Sequence, residues 1–280
     1  MFAQLPNDVS EVILVDGGSV DRTVEVAREL WPSIIIVNQT RSGKGNALAC
    51  GFAVATSDII VMIDADGSTS PAEIPAFVAA LVAGADFAKG SRFRAGGGSH
   101  DITPLRKLGN LGLSGFVNAL FGTGFTDLCY GYNAFWRRLV PALDLPRTDL
   151  PRPLGGGKLW GDGFEIETLI NIRVAACGFR ISEVASIEFE RIHGVSNLHA
   201  IRDGRRVLRT ILHEFRHRHA IRSAAEAKGL MPSSGRPRPA LPAPRKPING
   251  TAVRTSFTRS RSAFTRSRSA ELTSQLGHEE

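Results

Sequence analysis

The chain has 280 residues, 42% of them hydrophobic and 22% charged, a composition with room for one large globular domain that excludes disorder for the body of the chain. No apolar run approaches the roughly 18 residues that span a bilayer, and Met1 to Asp8 lacks the basic-then-apolar order of a signal peptide. The formal charge of +7 would suggest a polyanionic partner, but residues 1–217 hold 22 basic against 23 acidic side chains and residues 218–280 hold 12 against 4, so the basicity belongs to the tail.

In chain order, Glu11 to Asp16 predicts a strand ending in Asp-Gly-Gly-Ser, and Val20 to Leu30 a helix. Ser33 to Val37 predicts the next strand, Gly45 to Ala55 the next helix, and Ile59 to Ile63 a third, fully apolar strand. Ser70-Pro71-Ala72-Glu73 supplies a cap, a proline at the first helical position and a glutamate three residues after the cap, so a helix follows through about Val82. Ala85 to Lys89 reads as a fourth strand, and Arg94 to Thr103 as a glycine-rich loop of the length usually reserved for function. Leu105 to Phe121 has helical spacing with Gly109, Gly112, Ser114 and Gly115 along it, and reads as a helix packed closely on a neighbour rather than one inserted in a membrane. Asp162 to Ala176 is a further helix, followed by short strands around Phe179 to Val184 and Ser186 to Glu190. Strands alternating with helices over residues 1–200 imply an α/β domain with a mostly parallel central sheet.

Residues 201–222 predict a basic amphipathic helix. Ile201, Val207, Leu208, Ile211, Leu212 and Phe215 share one stripe among arginines, which suits either an anionic membrane surface or docking on the domain. Residues 223–280 are rich in Pro, Arg and Ser, repeat FTRSRSA at Phe257 to Ala263 and Phe264 to Ala270, and predict a disordered tail. Cys50, Cys129 and Cys177 are widely spaced, which argues against a zinc site or a disulfide framework and fits a reducing cytoplasm.

The strongest chemical signal is Asp64-Ala65-Asp66-Gly67, directly after the apolar third strand. Two carboxylates at a strand's C-terminal end offer hard oxygen ligands to Mg²⁺ or Mn²⁺, and such a metal typically bridges a diphosphate. A calcium loop is rejected, because Thr69 and Pro75 stand where it needs glycine and glutamate. Asp16, Gly18 and Ser19 end the first strand where a nucleotide can be received. Lys44 lies between Gly43 and Gly45 at a helix N-terminus, which suits a phosphate or nucleotide edge, although Gly45 stands where a P-loop needs Ser or Thr.

Together with GSRF at Gly90 to Phe93, DLCYGYNAF at Asp127 to Phe135, GDGFEIE at Gly161 to Glu167 and ERIHGVSN at Glu190 to Asn197, these segments resemble the family 2 glycosyltransferases, in their dolichyl-phosphate mannosyltransferase-like branch. The resemblance runs from about Glu11 to about Leu212. It implies a GT-A type, Rossmann-like nucleotide-binding fold that transfers a sugar from a nucleotide-sugar, with inversion, to an acceptor that is often a polyprenyl phosphate. By the same resemblance, Asp16 contacts the base or ribose, Lys44 lies near the nucleotide, and Asp64 and Asp66 hold the metal. A third ligand that can follow as glutamine is here Ser68. Arg92 and Arg191 resemble arginines that clamp phosphates, and Arg106 is a weaker candidate of that kind. Asp162 falls where the family places its acceptor-side acid, the general base if the acceptor is a hydroxyl. A lipid phosphate is already an anion, and Asp162, Glu165 or Glu167 would then orient groups or the metal. Members of the family usually open with a strand before the one at Glu11 to Asp16, so a misassigned or truncated start, with impaired donor binding and stability, is expected. The reading is a cytoplasmic enzyme, peripheral at the inner face of the membrane through residues 201–217. Its rivals are transfer to a sugar or small-molecule hydroxyl, and a nucleic-acid-binding protein working through the basic tail.

Overall fold

A computed structural model describes residues 2–155, 157–191 and 200–231. The strands are β1 (Ile13–Asp16), β2 (Ile35–Asn38), β3 (Ile59–Met62), β4 (Phe87–Ser91), β5 (Gly98–Ser99), β6 (Asn133–Trp136), β7 (Ile181–Ala185) and β8 (Ile187–Glu188). The helices are α1 (Thr23–Leu30), α2 (Lys44–Val54), α3 (Ile74–Val82), α4 (Pro104–Phe121), α5 (Val140–Leu143), α6 (Ile166–Ala176) and α7 (Ala200–Ala227). None of the helices among the described residues is long and apolar enough to cross a membrane.

The α/β expectation holds, with parallel pairings β1/β2, β4/β7 and β5/β8. The exception is β6, which the sequence reading does not identify as a strand. It runs antiparallel between β3 and β4 at the centre of a four-stranded sheet ordered β3-β6-β4-β7. Its side chains alternate between two buried faces. Phe135 stacks on Phe87 at 5.6 Å and meets Phe52 edge-on at 5.4 Å, inside a core shared with α5, α6 and the end of α7. Ala134 joins Phe77, Leu81 and Tyr132 on the side covered by α3. Among the described residues no ladder joins β1 to β3. The two strands meet at their starting ends, where Glu11 accepts hydrogen bonds from Thr56 and Ser57.

Several helix ends follow the local chemistry. Ser70 accepts from the Ala72 N–H as expected, but Glu73 reaches across to Ser186 and Ile187 instead of back to the cap. Thr103 caps α4 by accepting from the Arg106 N–H, and Gly122 closes it at φ +65°.

Helix α7 continues to Ala227, past the boundary at 223 expected for the tail. Ala225 is buried, and Leu230 and Met231 pack on the same core, so this stretch has apolar surface to bury. The stripe on α7 divides. Val207 and Ile211 pack against α4 and α6, while Leu208 and Leu212 stay exposed. The Ile201 side chain, the segment 192–199 and the repeats at 257–270 lie outside the described residues.

Candidate active site

The end of β1, the end of β3 and the loop after β8 carry the chemical groups. At β1, Asp16 turns its carboxylate back on the chain and accepts from the Gly18 N–H, the Ser19 N–H and the Ser19 hydroxyl. Gly18 provides the turn at φ +92°. The Ser19 hydroxyl and these N–H groups hold the Asp16 carboxyl below the usual carboxylate range, so it is a fixed anion at the sheet's rim.

At β3, Asp64 is 45% exposed and receives a hydrogen bond of 2.8 Å from the Lys44 ammonium. Lys44 also donates to Glu167 in the first turn of α6. Burial alone would discharge Lys44, but Glu167 and Asp64 outweigh it and push its pKa up. Asp66 accepts from the Ser68 N–H at 3.0 Å and the Ser68 hydroxyl at 2.7 Å. The Arg191 Nε lies 3.3 Å from the other Asp66 oxygen, yet among the described residues it has no partner in hydrogen-bonding geometry although it is buried. Ser68 therefore acts by fixing Asp66.

The glycines beside Lys44 answer to packing. A Cβ at Gly43 would sit 2.1 Å from the Asp162 carbonyl oxygen, and one at Gly45 would sit 1.8 Å from that of Gly161. The Asp162 carbonyl accepts from the Gly45 N–H at 2.9 Å and the Asn46 N–H at 3.2 Å. The N-terminus of α2, expected to face a phosphate, is thus satisfied by the 161–163 turn.

Four expected site residues are held elsewhere. Asp162 is buried and grips the Arg41 guanidinium through both oxygens, at 2.7 and 2.9 Å. So engaged, the Asp162 carboxylate balances Arg41 while its backbone carbonyl braces the Lys44 turn. Glu165 accepts from the Gly161 and Gly163 N–H groups and staples the same turn. Arg92 is buried with its donors on Asp127 and Glu188, so it ties β4 to β8. Arg106 lies 3.5 Å from Asp101 at the start of α4.

The partners that sequence reasoning did not assign are Arg41, Asp127 and Glu188, and it named Glu167 without its bond to Lys44. Asp127 and Glu167 carried a signal, standing in the DLCYGYNAF and GDGFEIE segments.

Asp64 and Asp66 are hard oxygen donors, balanced by Lys44 and Arg191, and Asp64 is open to solvent. They fit Mg²⁺ or Mn²⁺. No cluster of three His, Cys, Asp or Glu occurs among the described residues, and oxygens of a diphosphate or water are of the kind that would complete the set. The Arg191 guanidinium, beside Asp66, fits a phosphate in the same place.

The chain matches the family described as Glycosyl transferase family 2 over residues 1–142. It is 30% identical to glycosyltransferase AglJ of Haloferax volcanii over 204 residues, 70% of this chain and 59% of that protein. It is 29% identical to polyprenol monophosphomannose synthase of Mycolicibacterium smegmatis, over 67% of this chain and 69% of that one. It is 31% identical to undecaprenyl-phosphate mannosyltransferase of Micrococcus luteus, over 68% and 76%. Among solved structures it resembles glucosyl-3-phosphoglycerate synthase from Mycobacterium tuberculosis in complex with Mn²⁺, UDP and phosphoglyceric acid. That likeness, at TM-score 0.54 and 22% identity over 74% of this chain and 68% of that one, is one of fold.

Proposed function

The chain belongs to glycosyl transferase family 2, and on that premise we propose that it moves a sugar, with inversion, from a nucleotide-sugar to a polyprenyl phosphate at a membrane surface. The observation that carries this reading is the Asp64 and Asp66 pair at the end of β3, braced by Lys44 and Glu167 on one side and met by Arg191 on the other.

Asp64 and Asp66 would hold Mg²⁺ or Mn²⁺, which when bound offsets the charge on the donor diphosphate. The residues of the chain do the rest. Asp16 lies where the base or ribose would be received. Lys44 keeps Asp64 oriented, and the Arg191 guanidinium beside Asp66 suits a phosphate oxygen. The acceptor oxygen attacks the anomeric carbon, the bond to the diphosphate breaks, and its electron pair leaves with the nucleoside diphosphate. Donors already in place for that growing charge need no reorganisation at the moment of reaction.

The engagement of Asp162 favours a phosphate over a hydroxyl acceptor. A phosphate monoester, with a second pKa of about 6, is an anion at neutral pH and needs no base. A sugar hydroxyl does need one, and Arg41 occupies the acid expected for it. The printed names of the mannosyltransferase relatives support the same acceptor class. The nucleic-acid alternative rests on a tail outside the described residues.

The test is transfer of radiolabelled sugar from a nucleotide-sugar panel into a polyprenyl phosphate, with Mg²⁺ or Mn²⁺. Asp64→Ala with Asp66→Ala is expected to lower transfer at least ~100-fold. Undiminished transfer would reject the metal assignment, and label only in water-soluble product would reject the lipid acceptor.

A further inference from the structure

Helix α7 carries two histidines one turn apart, His213 and His217, whose ring centroids lie 4.3 Å from each other. His213 also packs on the Trp160 indole, at 4.4 Å. Each imidazole has one nitrogen engaged. The His213 Nδ1 lies 3.2 Å from a Glu214 carboxylate oxygen, and the His217 Nδ1 lies 2.7 Å from the His213 carbonyl. Both partners can only accept, so in the neutral rings each Nδ1 carries the proton and each Nε2 presents a lone pair. An imidazole that ligates a metal through one nitrogen ordinarily donates from the other to a carboxylate or a backbone carbonyl, and both kinds of support are in place here. Glu214 is itself fixed, because it is fully buried and accepts from Arg173 at 2.8 Å and from Trp160 at 2.7 Å. Ring orientations held this way lose little freedom when an ion binds.

We propose that His213 and His217 bind a late first-row divalent metal, Cu²⁺ or Ni²⁺, through their Nε2 atoms. Spacing selects the ion. With a metal–nitrogen bond of about 2.0 to 2.1 Å, the centre of each ring sits about 3.2 Å from the metal. Two such rings are about 4.5 Å apart at the right angle of square-planar or octahedral coordination, and about 5.1 Å apart at the tetrahedral angle of a zinc site. The observed 4.3 Å agrees with the right angle. Charge points the same way. Arg205, Arg209 and Arg216 line the groove that holds the two histidines. These guanidinium groups repel Mg²⁺ and Ca²⁺, which are held by the charge of oxygen ligands, whereas Cu²⁺ and Ni²⁺ bond well to neutral imidazole. The same arginines would favour an anion at the open positions of the bound metal. The site shares no ligand with Asp64 and Asp66, and it does not depend on the glycosyltransferase reading.

The test is calorimetric titration of the full, untagged chain with NiCl₂ in excess Mg²⁺, which occupies carboxylate oxygens and leaves imidazole free. Wild type is expected to bind Ni²⁺, to melt at a higher temperature with it, and to lose tryptophan emission because Trp160 lies against His213. His217 is exposed, so His217→Gln should melt at the wild-type temperature in the absence of Ni²⁺. It should bind Ni²⁺ at least ~10-fold more weakly, with its emission and melting temperature unchanged by the metal. Asp64→Ala with Asp66→Ala should bind Ni²⁺ as wild type does. Ni²⁺ binding that His217→Gln retains overturns the proposal, as does binding that the aspartate variant loses. A wild-type chain that gives no binding heat and no change in melting temperature with Ni²⁺ overturns it as well.

Discussion

The carboxylates around the cleft differ in what already holds them, and this assigns their roles better than their motifs do. Asp64 keeps an open side, Asp66 is fixed by Ser68, and Asp162 has both oxygens on Arg41. Asp162→Asn should therefore act through folding. It removes the counter-charge of a buried guanidinium and should lower unfolding free energy by roughly 3 kcal/mol in urea titration, with turnover of the folded protein changed less than about tenfold. A rate loss on the order of a thousandfold at unchanged stability would restore Asp162 as a base. Asp16, Lys44, Asp64 and Asp66 were legible because each sits in a short local pattern of strand end, turn and glycine. Their partners were not. Glu167 lies 123 residues from Lys44 and Asp162 lies 121 from Arg41, separations that only the folded sheet closes.

At the level of elements, the alternation of apolar runs made six strands and five of the helices legible to within a few residues. It missed the two-residue β5 inside the expected glycine-rich loop, and β6, whose four residues are buried on both faces and so show no alternation. It also left open which way α7 faces. The structure answers with a buried ion pair: Glu214 of α7 accepts from Arg173 of α6 at 2.8 Å and from the Trp160 indole at 2.7 Å. Burial alone would raise the Glu214 carboxyl, but Arg173 outweighs it and holds it below the usual carboxylate range. A carboxylate depressed on folding adds stability above its unfolded pKa of about 4.3, and that contribution is lost as pH falls through the folded value. Glu214→Gln should therefore cost roughly 3 kcal/mol at pH 7, with the gap to wild type narrowing as denaturant titrations are taken below about pH 4. An equal gap at both pH values would mean that the pair contributes nothing through its charge.

For the whole molecule, the composition at first suggests a body ending near 222 and a basic appendix beyond it. The folded unit is longer, because apolar packing and not net charge decides where a chain stops contributing to its core. Ala225 is buried, Leu230 and Met231 rest on the cluster around Phe135 and Leu169, and the Lys228 ammonium donates to the Pro141 carbonyl and to Asp144. Two truncations separate the readings. A chain ending at Pro237 keeps all of these contacts and should unfold with the same midpoint as the full protein. A chain ending at Arg222 loses the last turns of α7 with the apolar side chains after them, and should lose about 2 to 4 kcal/mol by the usual value for apolar surface returned to water. The two have shed +5 and +6 of the +8 charge of residues 218–280, nearly the same amount, so a difference in stability between them reports packing rather than self-repulsion. Equal midpoints for the two would return residues 223–231 to the tail.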